Sequence, residues 1–118
     1  MKSSNLLKAL LVAVGFVSVN AYADANTSRS IIAARCSGVY AAVAGFASQT
    51  KDVAVFNDAR RKGTLYLDAA YVYIPQDQAN SIAKNTADAM SQRIISGNTD
   101  VVIKAMRDCD AWARTQGN

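Results

Sequence analysis

Asp108 and Asp110 flank Cys109 near the C-terminal end, and Asp68 stands alone upstream. Paired carboxylates could move protons or hold calcium. Consecutive helical positions diverge, however, and no loop here alternates oxygen ligands. These acids read better as solvated groups, or as partners for Arg107 and Arg114. Arg60, Arg61 and Lys62 form a basic run that could steer an anionic partner, although three charges in a row on a helix usually make a solvated face. Tyr40, Tyr66, Tyr71 and Tyr73, with Phe46, Phe56 and Trp112, could line a pocket or anchor a protein contact. Tyr40 and Tyr66 fall on apolar stripes and are expected in the core with their hydroxyls at the surface. Tyr71 lies off its stripe and is the better candidate for an exposed contact.

The missing residue types narrow the chemistry further. The chain has no histidine, which removes Ser-His-Asp and Cys-His arrangements and the common zinc, haem and copper ligand sets. It has no glycine-rich phosphate loop of recognised form. All nine acids are aspartate. No metal site, no cofactor and no catalytic residue is expected, and enzyme activity is the least favoured class.

Cys36 and Cys109 are the only cysteines. The N-terminus carries the marks of an export signal: Lys2, an apolar run over 6–19 interrupted by Lys8, and Ala21-Tyr22-Ala23 as a small-x-small cleavage site. Residues 1–23 are therefore expected to be removed, leaving a single domain over 24–118. The apolar run is short of the roughly 20 residues that span a bilayer as a helix. In an exported chain two cysteines are most simply a disulfide. That bond would close a ring holding most of the domain, worth about 4 kcal/mol by the chain-entropy estimate. A domain this small gains from such a staple. Thirteen basic residues less Lys2 and Lys8 leave eleven against nine acids, a net of +2. Neither this charge nor an exported location argues for nucleic acid.

Four amphipathic helices are expected to position these groups. The first spans about 28–48, after capping candidates Asn26, Thr27 and Ser28. Its stripe is Ile32, Cys36, Val39, Tyr40, Val43 and Phe46. A second line of small residues, Ala34, Gly38, Ala41 and Gly45, predicts close approach of another helix within the domain. Such a line also occurs in membrane helix dimers, but Arg35 and the lack of a long apolar span count against that here. After a break at 49–52, with Thr50 or Asp52 as the cap, the second helix is expected over 53–73. Its stripe is Phe56, Ala59, Gly63, Tyr66, Ala70 and Tyr73. The β-branched and aromatic content of 64–74 would also suit an extended segment with Gly63 ending a short helix. Helix is preferred because that stretch does not alternate. Pro75 opens the third helix, 76–96, with Ala79, Ile82, Ala83, Thr86, Ala87, Met90 and Ile94 on one face. Gly97 ends it with a left-handed turn. Asn98 or Thr99 caps the fourth, whose apolar face is Val102, Ala105, Met106, Cys109, Trp112 and Ala113. Residues 115–118 are expected to fray.

The fold class expected is therefore all-α: a small antiparallel four-helix bundle with one disulfide joining the first and last helices. The export signal, the Cys36-x-x-x-Tyr40 spacing and the Cys109-x-x-Trp112 spacing together resemble small exported two-cysteine helical proteins of Gram-negative bacteria and their phages. That resemblance implies no activity and no functional residues. In size and compartment the plan is also similar to the periplasmic acid-stress chaperones. The function expected is a non-enzymatic, periplasmic or secreted interaction protein of the inhibitor, immunity or assembly-accessory kind. It would bind another envelope or secreted protein, with Arg60, Arg61, Lys62 and Tyr71 as its contact. A stress chaperone of broad clientele and a carrier of a small apolar ligand are the alternatives.

Overall fold

The computed structural model describes residues 21–116, with side-chain surroundings from residue 25 onward. All of the expected leader except its last three residues lies outside the described residues. Four helices follow in order: α1 (Ala21–Thr50), α2 (Val53–Ala70), α3 (Gln76–Ile95) and α4 (Thr99–Arg114). Among the described residues there is no strand. The expected all-α bundle is present, with Cys36 on α1 bonded to Cys109 on α4 and their Cα atoms 5.7 Å apart.

α1 is the hub of the bundle. It starts seven residues before the expected boundary, and Asn26, Thr27 and Ser28 lie inside it rather than capping it. Cap-forming residues favour a helix start but do not force one, and no glycine or proline interrupts 21–37. By length and composition alone α1 is long and apolar enough to cross a membrane, contrary to the expectation that it lacks such a span. Yet 67% of its most apolar stretch is buried inside the protein, because α2 and α3 lie along it on two sides.

The α2-facing side is a line of small and polar residues at three- and four-residue spacing: Ser30, Ala33, Ser37, Tyr40, Ala44 and Ala47, all buried. The Ser37 hydroxyl donates to the Gly63 carbonyl at 2.8 Å. The Ser30 hydroxyl oxygen accepts from the Tyr73 backbone N–H at 3.1 Å. These two contacts, with the chain reversing between them, make α1 and α2 antiparallel. They also satisfy two serines that would be costly to bury unpaired.

α3 runs parallel to α1. Gly38 makes this possible: a Cβ there would run into the Ala83 carbonyl oxygen and sit 2.7 Å from Thr86 Cβ and 3.0 Å from the Ala87 nitrogen. The expected line of small residues is thus real at Ala34 and Gly38 but ends there. Ala41 and Gly45 are exposed, and nothing stands within 4 Å of a Cβ at Gly45. Phe46 is likewise 46% exposed rather than core. It lies near the end of α1, over a shallow depression shared with Ile94 and Ile95 of α3.

The connections follow local chemistry. α1 ends with the Asp52 N–H donating to the Ala47 carbonyl at 2.9 Å and the Lys51 N–H to Ser48 at 3.3 Å. Lys51 takes the left-handed conformation, φ 62°, where glycine is usual. The Asp52 side chain accepts from the Val55 N–H at 3.2 Å, capping α2 as expected. α2 passes through Gly63 and ends at Ala70, three residues early. Residues 71–74 form a turn, neither helix nor strand. Pro75 disfavours helical backbone at the residue before it, and Ser30 holds the turn from α1. Gly97, at φ 82°, makes the left-handed turn before α4. The expected faces of α3 and α4 are buried or half-buried throughout.

Candidate functional site

One carboxylate gathers three helices. Asp110 of α4 follows Cys109, so the disulfide fixes its place beside α1. Its Oδ2 accepts from the Tyr40 hydroxyl at 2.7 Å, and its Oδ1 from the Tyr66 hydroxyl at 3.0 Å. Lys62 Nζ lies 3.3 Å from Oδ2 and also 3.6 Å from Asp58. The two tyrosine rings stack, centroids 5.8 Å apart and 13° from parallel, with the Lys62 ammonium 5.3 Å from the Tyr40 ring centroid.

The electrostatics hold these groups together as a clasp. Burial and then hydrogen bonding to Asp110 push the Tyr40 and Tyr66 hydroxyls well above the ordinary tyrosine range. Desolvation alone would raise the Asp110 carboxyl. The hydrogen bonds from Tyr40 and Tyr66 and the Lys62 ammonium outweigh it and hold the group below its ordinary value. At neutral pH both tyrosines are therefore protonated donors and the aspartate an ionised acceptor with both oxygens engaged.

Beside the clasp, α2 and α4 form a groove of about 380 Å³ lined by Arg61, Lys62, Leu65, Tyr66, Ala69, Asp110, Trp112, Ala113 and Gln116. Leu65 stands at its edge, 58% exposed. Trp112 is half-buried and touches both parts of the hydrophobic core. Arg61 and Leu65 also line a second depression with Asn57, Arg60 and Thr64, so the two hollows make one continuous surface.

Three of the four residues expected to make a contact, Arg60, Arg61 and Lys62, lie on this surface, and the fourth, Tyr71, does not. Arg60 lies over the Phe56 ring, 5.8 Å from its centroid. Arg61 pairs with Asp58 at 2.7 Å on the exposed face of α2. Lys62 is drawn into the clasp. Tyr71 sits apart: it packs half-buried against the Ala33, Ala34, Ala70, Ile74 and Ala79 cluster, and its hydroxyl donates to Asn80 Oδ1 at 2.6 Å. Its position off the stripe of α2 faces it toward α3 instead of solvent.

Asp110 is the residue that sequence reasoning misplaced. It meets neither Arg107 nor Arg114 but two tyrosines and Lys62, whereas Asp108 does pair on its own helix, with Lys104 at 2.7 Å. The Tyr40 and Tyr66 hydroxyls correspondingly point at a carboxylate and not into solvent. The available signal was adjacency: a residue next to a disulfide-bonded cysteine is fixed in space by it. Among the described residues no group of three metal-ligating side chains gathers. Comparison with protein-family models, with curated proteins and with solved structures finds no match to this chain.

Proposed function

We propose that this protein is an exported, non-enzymatic interaction module, periplasmic or secreted, that binds another envelope or secreted protein. The disulfide fits an oxidising compartment, and the apolar N-terminal segment is compatible with a signal peptide. The observation that carries the reading is the open groove between α2 and α4, where exposed Leu65 and half-buried Trp112 lie beside the Arg60–Lys62 run. An apolar centre with a charged rim is the anatomy of a binding surface. The groove's walls are helices locked by the disulfide and the Asp110 clasp, which lowers the ordering cost of binding.

The test is affinity capture from envelope extract with the oxidised protein as bait, against a bait carrying Leu65→Asp. One stoichiometric partner, lost with the substitution, is the expected result. A ladder of weak partners insensitive to the substitution would sink the reading. The chaperone alternative needs acid to open the fold. The Asp110 carboxyl that ties α4 to α1 and α2 is held below the ordinary aspartate range, so the stability it lends is lost as pH falls below that range. Dye binding in acid tests whether the fold then opens. The groove's volume does fall within the size of small-ligand sites. A small amphiphile is therefore the second reading, and native mass spectrometry of the purified protein would reveal it as an added mass.

A further inference from the structure

We propose that the groove between α2 and α4 takes an acidic peptide segment of the partner that presents one large apolar side chain. The apolar side chain lies on Leu65, Ala69, Trp112 and Ala113, and flanking carboxylates meet Arg60 and Arg61. This rests on the interaction-module reading and specifies the chemistry of what is bound.

Charge complementarity is the first argument. Among the described residues the only carboxylate lining the groove is Asp110, and both its oxygens are already engaged by Tyr40, Tyr66 and Lys62. It presents little uncompensated negative charge to an incoming ligand. Arg60 makes no ion pair among the described residues, and Arg61 has one partner, Asp58. That Arg61–Asp58 pair is exposed and three residues apart on one helix, so it is weak and readily exchanged for a ligand carboxylate. A basic ligand would have to meet Arg60 and Arg61, and among the described residues lining the two hollows no unengaged carboxylate would receive it.

Shape is the second argument. The apolar surface is a hollow between two helices, with Leu65 as a ridge between it and the Arg60-lined depression. A bilayer surface is met by protruding apolar side chains. A hollow with a charged neighbour suits an inserted side chain and the polar backbone on either side of it. Both hollows share Arg61 and Leu65, so a segment can place its apolar residue in one and its acids over the other.

The test is selection of a random dodecapeptide display library on the immobilised oxidised protein. The expected consensus is an aromatic residue or leucine beside two or more acids. A blocked synthetic peptide of that consensus should then shift the fluorescence of Trp112, the sole tryptophan. Its affinity should fall about tenfold or more with Arg61→Glu, as expected for reversing one charge at a contact, and it should weaken with added salt. Leu65→Asp, at an exposed position where the fold is not at stake, should abolish the shift. A basic or neutral consensus, no enrichment, or binding untouched by either substitution overturns the proposal. So does a Trp112 response to dodecanoate or to phosphatidylglycerol vesicles when no peptide is enriched. Enriched peptides that ignore Leu65→Asp would remove this site while leaving the module reading intact. A groove-dependent acidic consensus with no partner captured from envelope extract would do the reverse.

Discussion

Removing the Asp110 carboxylate should show whether the clasp holds α4 in place or merely decorates it. Tyr40 is 1% exposed and Tyr66 is 8% exposed. In Asp110→Ala each hydroxyl loses its acceptor, at a cost of about 1–3 kcal/mol for a buried group left unpaired. The groove lets water reach part of the vacated site, so the expected total is about 2–4 kcal/mol, below the simple sum. Tyr40→Phe and Tyr66→Phe each remove one hydrogen bond to a charged group and should cost about 1–2 kcal/mol. With both tyrosines already phenylalanine no hydroxyl remains to be stranded, and adding Asp110→Ala should cost less than about 1 kcal/mol. The coupling between the aspartate and the tyrosine pair is then about 2 kcal/mol. Urea unfolding at pH 7 with the disulfide oxidised, followed by Trp112 fluorescence, measures all four corners of the cycle. Additivity within about 0.5 kcal/mol would refute the clasp as an energetic unit.

Three further perturbations test other joints. Gly38→Ala should destabilise by about 2–4 kcal/mol, because its methyl would meet α3 backbone that cannot yield. Gly45→Ala should stabilise by about 0.5–1 kcal/mol, having open space around it; thermal melts of the two variants should move in opposite directions. Replacing Cys36 and Cys109 by alanine should cost about 4 kcal/mol for a ring with a sequence separation of 73, read as a drop in the urea midpoint. Alkali should unfold the protein early. The folded tyrosines are held protonated while those of the unfolded chain ionise near pH 10. The unfolded state therefore binds fewer protons there, and stability falls as pH rises above about 10. The slope approaches about 2.7 kcal/mol per pH unit for two such groups. Tyr66→Phe should roughly halve it, and a flat urea midpoint from pH 9 to 11 would contradict the assignment.

The helices were legible because apolar residues at three- and four-residue spacing mark α3 and α4 without ambiguity, and because Pro75 and Gly97 punctuate them. The disulfide was legible from the cysteine number and the export-signal pattern of the N-terminus. The inner face of α1 was harder to read. Apart from Tyr40, its α2-facing line is serine and alanine, residues that carry little apolar signal, and these are buried because α2 comes close. Gly38 and Gly45 look alike in sequence, and only the position of α3 separates them. The clasp lay beyond reach for a similar reason. Its members are 70 residues apart at the extremes, on three helices, and no spacing along the chain brings Tyr40, Tyr66 and Asp110 together. The α2–α4 groove is likewise a product of how α4 is tethered; its basic run, Arg60–Lys62, and its aromatic candidates, Tyr66 and Trp112, are visible in one dimension, but their meeting is not.

The covalent ring has a consequence for how the molecule ages when proteases reach it. Lys51 is exposed in the tight connection between α1 and α2, the kind of site at which trypsin-like proteases cut. A cut there falls between Cys36 and Cys109. The two pieces remain one molecule, and α1 stays threaded between α2 and α3 by packing that the cut does not touch. Any single scission inside the ring gives the same result. Nicked protein would therefore keep its mass on a non-reducing gel and separate into two bands only when reduced. The staple thus sets how much proteolytic damage the molecule can carry while still presenting its surface.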